Sequence, residues 1–145
     1  METRLDYRKA NPGAYKAMVG LEQQIAKSSL EKPLTELVRL RASQINGCAF
    51  CVDMHATDAR KGGETERRLA AVAVWHEAPF FTDRERAALE WTESLTLLPQ
   101  NHAPDAVWAA VEAHFTPAEI VDLTLLIVSI NGWNRFGVGF RLMPE

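Results

Sequence analysis

Residues 36–55 read ELVRLRASQINGCAFCVDMH, and the breaks inside this stretch fix how the chain is organised. Leu37, Val38, Leu40 and Ile45 recur at helical spacing up to Asn46-Gly47, a pair that supplies a helix stop. A new helix begins near Cys48 and runs to Gly62-Gly63. Upstream, Lys32-Pro33 starts the helix that carries Leu34 and Glu36. Before it, Asn11-Pro12 opens one to about Lys27, with Tyr15, Met18, Val19, Glu22 and Ile25 three and four apart. Downstream, Thr65 caps a short helix to about Trp75, which Ala78-Pro79 ends. Thr82-Asp83-Arg84-Glu85 has the pattern of a capping box and leads to Ala88, Leu89, Trp91, Thr92, Leu95 and Leu98 before Pro99. A further helix spans about Pro104 to His114, and Thr116-Pro117-Ala118-Glu119 opens a long one to about Phe140. Almost no alternating segment competes. The expected fold is all-α, a helical bundle of about six to seven helices forming one domain over residues 1–145.

Composition bounds the function. With 145 residues, 47% hydrophobic and 24% charged, the chain suits a single globular core. Sixteen basic and nineteen acidic residues give a net charge of -3, so neither nucleic acid nor an anionic membrane is an expected partner. The first thirty residues hold no signal-like apolar core, and the run from Ile120 to Ile130 is interrupted by Asp122, Thr124 and Ser129 and is too short to span a bilayer. A cytoplasmic location is expected. In a reducing compartment two cysteines three apart point to redox or metal chemistry rather than a structural staple. The last helix is apolar all round (Ile120, Val121, Leu123, Leu125, Leu126, Ile127, Val128, Ile130), which predicts a homo-oligomer; a central core helix in a monomeric bundle is the alternative.

The chemistry concentrates at Cys48-Ala49-Phe50-Cys51-Val52-Asp53-Met54-His55. On a helix Cys48 lies beside Cys51, and Cys51 lies one turn before His55, so the three side chains form a stripe. Ala49, Val52, Ala56 and Ala59 form an adjacent small apolar stripe suited to close packing. A helix N-terminus favours the thiolate, the reactive form, and an imidazole can take the thiol proton or return it to a leaving group. The neighbouring thiol can then trap an oxidised nucleophile as a disulfide. Dipole and histidine favour different sulfurs: the dipole acts most at Cys48, whereas an imidazolium at His55 is nearer Cys51 and is the larger effect, so Cys51 is expected to be the more acidic thiol. Two bland readings stand beside this one. Plain buried cysteines in a helix seam would look the same, and Cys48, Cys51 and His55 with Glu36 or a water would make a zinc set.

The segment from Glu36 to His55 also resembles the E-x11-C-x2-C-x3-H pattern of the alkylhydroperoxidase D-like branch of the carboxymuconolactone decarboxylase superfamily, with all four positions met. Likeness to the small single-domain members extends to RLDY from Arg4, TDRERAALEWTE from Thr82 and INGWNR from Ile130. The resemblance implies an all-helical fold, assembly into trimers or hexamers, and a site in which Cys51 is the attacking thiol, Cys48 the resolving one, His55 the relay histidine and Glu36 the acid that orients it. It further implies a thiol-dependent peroxidase or disulfide oxidoreductase with no bound cofactor, a peroxide or disulfide substrate, and an external dithiol or disulfide reductase as electron donor. Familiar peroxidase members carry a histidine just before the second cysteine, where this chain has Phe50; this departure bears on hydroperoxide as the substrate and leaves the thiol redox expectation in place. A decarboxylase or other lyase on the same fold, and a non-catalytic redox-responsive or zinc-holding module, are the alternatives; the first of these has no need of the cysteine pair. His76, His102 and His114 receive no role. Asn131, Trp133, Asn134 and Arg135 either line a site mouth or a subunit seam, or mark the helix leaving the core.

Overall fold

In the computed structural model, which describes residues 1–144, the chain is helical throughout, with no strand among the described residues. The elements are α1 (Tyr7–Ala10), α2 (Pro12–Ile25), α3 (Lys32–Asn46), α4 (Ala49–Lys61), α5 (Glu66–Ala71), a single 3₁₀ turn (Val72–Val74), α6 (Asp83–Thr96), α7 (Leu98–Asn101), α8 (Asp105–His114) and α9 (Pro117–Phe140). The helix starts follow the sequence signals. Thr82 and Thr116 each accept a backbone N–H, from Glu85 and Glu119, while those glutamates reach back to the cap N–H, completing two capping boxes.

The count of nine helices among the described residues exceeds the expected six to seven because α1 and α7 are single turns. Asp6 accepts from the N–H groups of Arg8 and Lys9 at 3.1 and 3.3 Å, which is enough to close α1. Pro99, read as a stop, instead sits in the first turn of α7, where its missing N–H leaves nothing unpaired. The stretch after Thr65 also departs from expectation: α5 ends at Ala71 and the chain tightens into the 3₁₀ turn.

Helix α3 packs against α4, α6 and α9 and divides the core in two. Leu34 and Val38 join Ile25, Trp91, Val111, Leu123, Leu126 and Ile127 in one cluster. Leu37 and Leu40 join Ala59, Leu69, Val72, Trp75 and Leu89 in the other. Each fully buried aliphatic side chain contributes roughly 1.5–3 kcal/mol, so α3 is held from both sides. Of the small-residue stripe on α4, Ala59 is buried with Val52 and Ala56 packed beside it, while Ala49 is exposed at the first turn. Helix α9 buries Ile120, Leu123, Leu126, Ile127, Ile130 and Gly137 along one face and leaves Val121, Val128 and Val138 exposed. No single helix among the described residues is long and apolar enough to cross a membrane.

Candidate active site

The turn between α3 and α4 places the sulfurs. Gly47 ends α3 with φ 66°, a left-handed conformation that side-chain-bearing residues resist, and the Cys48 N–H donates to the Ser43 carbonyl at 3.0 Å. Cys48 thereby becomes the N-cap of α4, its sulfur accepting from the Cys51 N–H at 3.3 Å. Cys51 follows in the first helical turn. The two are joined as a disulfide, with Cα atoms 5.3 Å apart, and both are buried. Helix α9 lies directly behind them: a Cβ at Gly137 would stand 2.6 Å from the Cys48 sulfur and 3.1 Å from that of Cys51. Only glycine permits this approach.

Glu36 projects from α3 toward α4, where its Oε2 accepts from His55 Nδ1 at 2.9 Å, with both side chains buried. A carboxylate only accepts, so Nδ1 carries the proton and Nε2 is the nitrogen left to take one. His55 follows Cys51 by one turn of α4. The other Glu36 oxygen accepts from Arg39 at 2.8 Å, and Arg39 also donates to Glu22 of α2 at 2.6 Å. Glu22 in turn accepts from Ser129 at 2.6 Å and Trp133 at 3.2 Å, both on α9. Burial pushes the Glu36 carboxyl up, but the hydrogen bond and charge of His55 and the charge and hydrogen bond of Arg39 outweigh it, holding the group below its ordinary 4.5. Two carboxylates, Glu36 and Glu22, thus share one guanidinium.

Thus Glu36, Cys48, Cys51 and His55, scattered over twenty residues of sequence, meet at the α3–α4 seam. Cys51, His55 and Glu36 line a cleft of about 330 Å³, walled by Tyr7, Tyr15, Phe50, Met54, Trp133 and Leu142, with Arg8, Glu22, Arg39 and Asp58 as its remaining polar members. Cys48 is not part of that lining; it faces Gly137. Arg39 and Glu22 escaped the sequence reading. Arg39 lies one turn after Glu36, a spacing that pairs opposite charges on a helix, and this was the available signal. Trp133 reaches the cleft, whereas Asn131 and Asn134 bind the Asn46 side chain at 3.0 and 2.9 Å and tie α9 to the end of α3. As to a metal, Glu36, His55 and the exposed Asp58 bring ligand atoms within 4.8 Å of one another. Both Glu36 oxygens are already committed to Arg39 and His55, so ligation would break one of those bonds.

Comparison with known proteins agrees with this architecture. The pattern of the carboxymuconolactone decarboxylase family matches residues 12–94, from α2 through most of α6. The chain belongs to that family. Within reach of the carboxymuconolactone decarboxylase family it is similar to the uncharacterized protein YdfG of Bacillus subtilis, 42% identical over 138 residues that cover 95% of this chain and 94% of YdfG. It is also similar to ATU0492 of Agrobacterium tumefaciens, a protein of unknown function described as a candidate antioxidant defence protein AhpD; the TM-score is 0.97 at 44% identity, covering 99% of each chain. The debrominase Bmp8 shares the fold, with a TM-score of 0.84 at 19% identity, covering 94% of this chain and 74% of Bmp8.

Proposed function

We propose that this family member is a thiol-dependent oxidoreductase of the alkylhydroperoxidase D type, a peroxidase or disulfide reductase acting in the cytoplasm as a single catalytic domain. The observation that carries the reading is the Cys48–Cys51 bond at the cleft, with Cys51 on the open side and His55 held by Glu36. In the reduced protein, the Cys51 thiolate attacks one sulfur of a disulfide; a Cys51–substrate bond forms, the S–S bond breaks, and the leaving thiolate takes its proton from the His55 imidazolium. Cys48 then attacks the Cys51 sulfur, closing the Cys48–Cys51 bond and releasing the second thiol. With a hydroperoxide, Cys51 takes the terminal oxygen as a sulfenic acid, the alcohol leaves protonated, and Cys48 condenses to expel water. Each cycle moves two electrons, and an external dithiol restores both thiols. Glu36 fixes the tautomer of His55 and stabilises its charge, while Arg39 keeps Glu36 ionised.

Stopped-flow oxidation of the reduced protein by hydrogen peroxide, an organic hydroperoxide and a small disulfide tests this. The expected result is a reaction faster than that of free cysteine with at least one oxidant, ending in the intramolecular bond and lost in Cys51→Ser. Rates no faster than free cysteine with all three would overturn it; reaction with the disulfide alone would make the protein a disulfide reductase. We further propose that the chain assembles with copies of itself, a trimer or hexamer covering the exposed Val121, Val128 and Val138 of α9. Sedimentation equilibrium reporting a monomer at working concentration would remove that element.

A further inference from the structure

Among the described residues, the cleft in front of Cys51 carries one cation that the proton-handling network does not use. Of its two guanidinium groups, Arg39 is committed to Glu36 and Glu22. Arg8 is bound to no carboxylate among the described residues; its guanidinium lies over the rings of Tyr7 and Tyr15, 5.8 and 5.5 Å from their centroids. Tyr7 is itself buried against Phe136 and Phe140 of α9, at 5.0 and 5.7 Å between centroids, so the ring beneath Arg8 is fixed by packing. Tyr15 is held edge-on to Trp133 at 6.1 Å. Two ordered rings thus hold an exposed planar donor over the cleft, at little cost in side-chain entropy when an anion binds.

The other walls are apolar or aromatic: Phe50 and Met54 from α4, Trp133 from α9, and Leu142 after it. Phe50 sits between the two cysteines in sequence, so its side chain meets whatever approaches Cys51. The cleft's carboxylates have partners other than Arg8: Glu22 and Glu36 both accept from Arg39, Glu36 also accepts from His55, and Asp58 lies 4.0 Å from Lys61.

We propose that this cleft selects an aromatic or similarly flat apolar substrate that bears a carboxylate, the flat body lying against Phe50, Met54 and Trp133 and the carboxylate accepting from Arg8, with the reducible bond delivered to Cys51. The proposal rests on the thiol redox reading for the last clause only; recognition of the anion by Arg8 is independent of it. A guanidinium–carboxylate pair at a half-exposed site is worth about one factor of ten in affinity or rate.

Two measurements separate the claims. First, the oxidised protein is titrated with naphthoate, which has no reducible bond, and binding is followed by tryptophan fluorescence. Saturable binding that weakens about tenfold in Arg8→Gln and largely recovers in Arg8→Lys is expected. Binding that Arg8→Gln leaves unchanged would overturn the anion site. Second, the reduced protein is mixed with dithiobis-nitrobenzoate, an aromatic disulfide with a carboxylate on each ring, and with the neutral dithiodipyridine. Arg8→Gln should slow the first about tenfold and leave the second within experimental scatter. An equal fall with both would make Arg8 a support for α1 and overturn the proposal. If neither disulfide reacts while naphthoate binding still depends on Arg8, the redox reading falls and the anion site stands.

Discussion

Two glutamates in this fold are treated almost alike by their surroundings, and only one shares a cleft with a cysteine. Glu36 accepts from His55 at 2.9 Å and Arg39 at 2.8 Å; Glu93 accepts from His76 at 3.1 Å, Arg41 at 2.8 Å and the Trp75 indole at 2.7 Å. In both, burial raises the carboxyl and the donors more than reverse it, so both sit below the ordinary 4.5. The difference lies in the histidine. His55 is 7% exposed, one turn beyond Cys51 and on the cleft; His76 is largely open to solvent and stacked on Trp75 at 3.7 Å between ring centroids. A perturbed carboxylate paired with a histidine is therefore not enough to mark a site; the nucleophile and the access to it decide.

The comparison breaks most easily at the histidines. His55→Ala should slow oxidation of the reduced protein by roughly a hundredfold, the lower end for a positioned proton-transfer group. His76→Ala should leave that rate unchanged. Comparable losses in both, measured by stopped flow, would make the two carboxylate–histidine pairs equivalent and remove His55 from the mechanism.

The glutamates come next. Glu36→Gln removes a charged hydrogen-bond acceptor worth about 1.5–3 kcal/mol, so a rate loss of about tenfold or more is expected with assembly intact. Glu93→Gln leaves Trp75 and Arg41 poorly paired and should cost about 1–3 kcal/mol of stability with the oxidation rate preserved. A Glu36→Gln protein that keeps its rate and loses its fold would make Glu36 a structural residue like Glu93.

A third difference is the backbone behind the sulfurs. An added methyl at Gly137 meets the disulfide, which cannot swing aside, whereas one at Gly139 meets nothing within 4 Å. Gly137→Ala should cost about 1–3 kcal/mol in the oxidised protein, and less once reduction frees the Cys48 side chain to turn. Gly139→Ala should be neutral or slightly stabilising. Equal thermal stability of the two oxidised variants would show that α9 yields at Gly137.

What the sequence made legible follows from which interactions are local. The capping box at Thr82, the helix start at Thr116 and the stop at Gly47 depend on residues a few positions apart, and the structure has them all, whereas the stripe expected of Cys48, Cys51 and His55 changes because Cys48 is the N-cap of α4 and only Cys51 and His55 line the cleft. Glu36 was visible only through a fixed-spacing pattern, since no helical periodicity links it to His55 nineteen positions on. Glu22 and Arg39, Arg8 over two tyrosines, and Gly137 against the sulfurs arise where α1, α2 and α9 converge, and tertiary packing alone brings them there. The all-round apolarity of α9 read as a sign of a homo-oligomer, with a central core helix as the alternative. Within one chain the fold buries one face and leaves Val121, Val128 and Val138 outside, a division that composition does not give because it counts apolar residues without assigning them a direction.

The smallest expected effect concerns acid. A carboxyl whose pKa is lower in the folded chain than in the unfolded one adds stability that is fully present above the unfolded value and is lost as pH falls through the folded one. Glu36 and Glu93 both meet that condition, so stability should be flat above 4.5 and decline below it, with Glu119, held by Arg84, contributing to the same decline. Replacing either glutamate, the buried Glu36 or the partly buried Glu93, by glutamine removes one titrating group from the folded state and should make the acid limb shallower by a similar amount. Denaturant unfolding across that limb measures this. Activity should tell the two apart where stability does not. In the Glu93→Gln protein the oxidation rate should fall on the acid side as in the parent, because Glu36 still loses its charge and releases His55. In the Glu36→Gln protein the rate is already low, and the part of the acid fall that belongs to Glu36 should be gone. An unaltered acid profile in Glu36→Gln would mean that the charge on Glu36 is felt by the fold and not by the thiols.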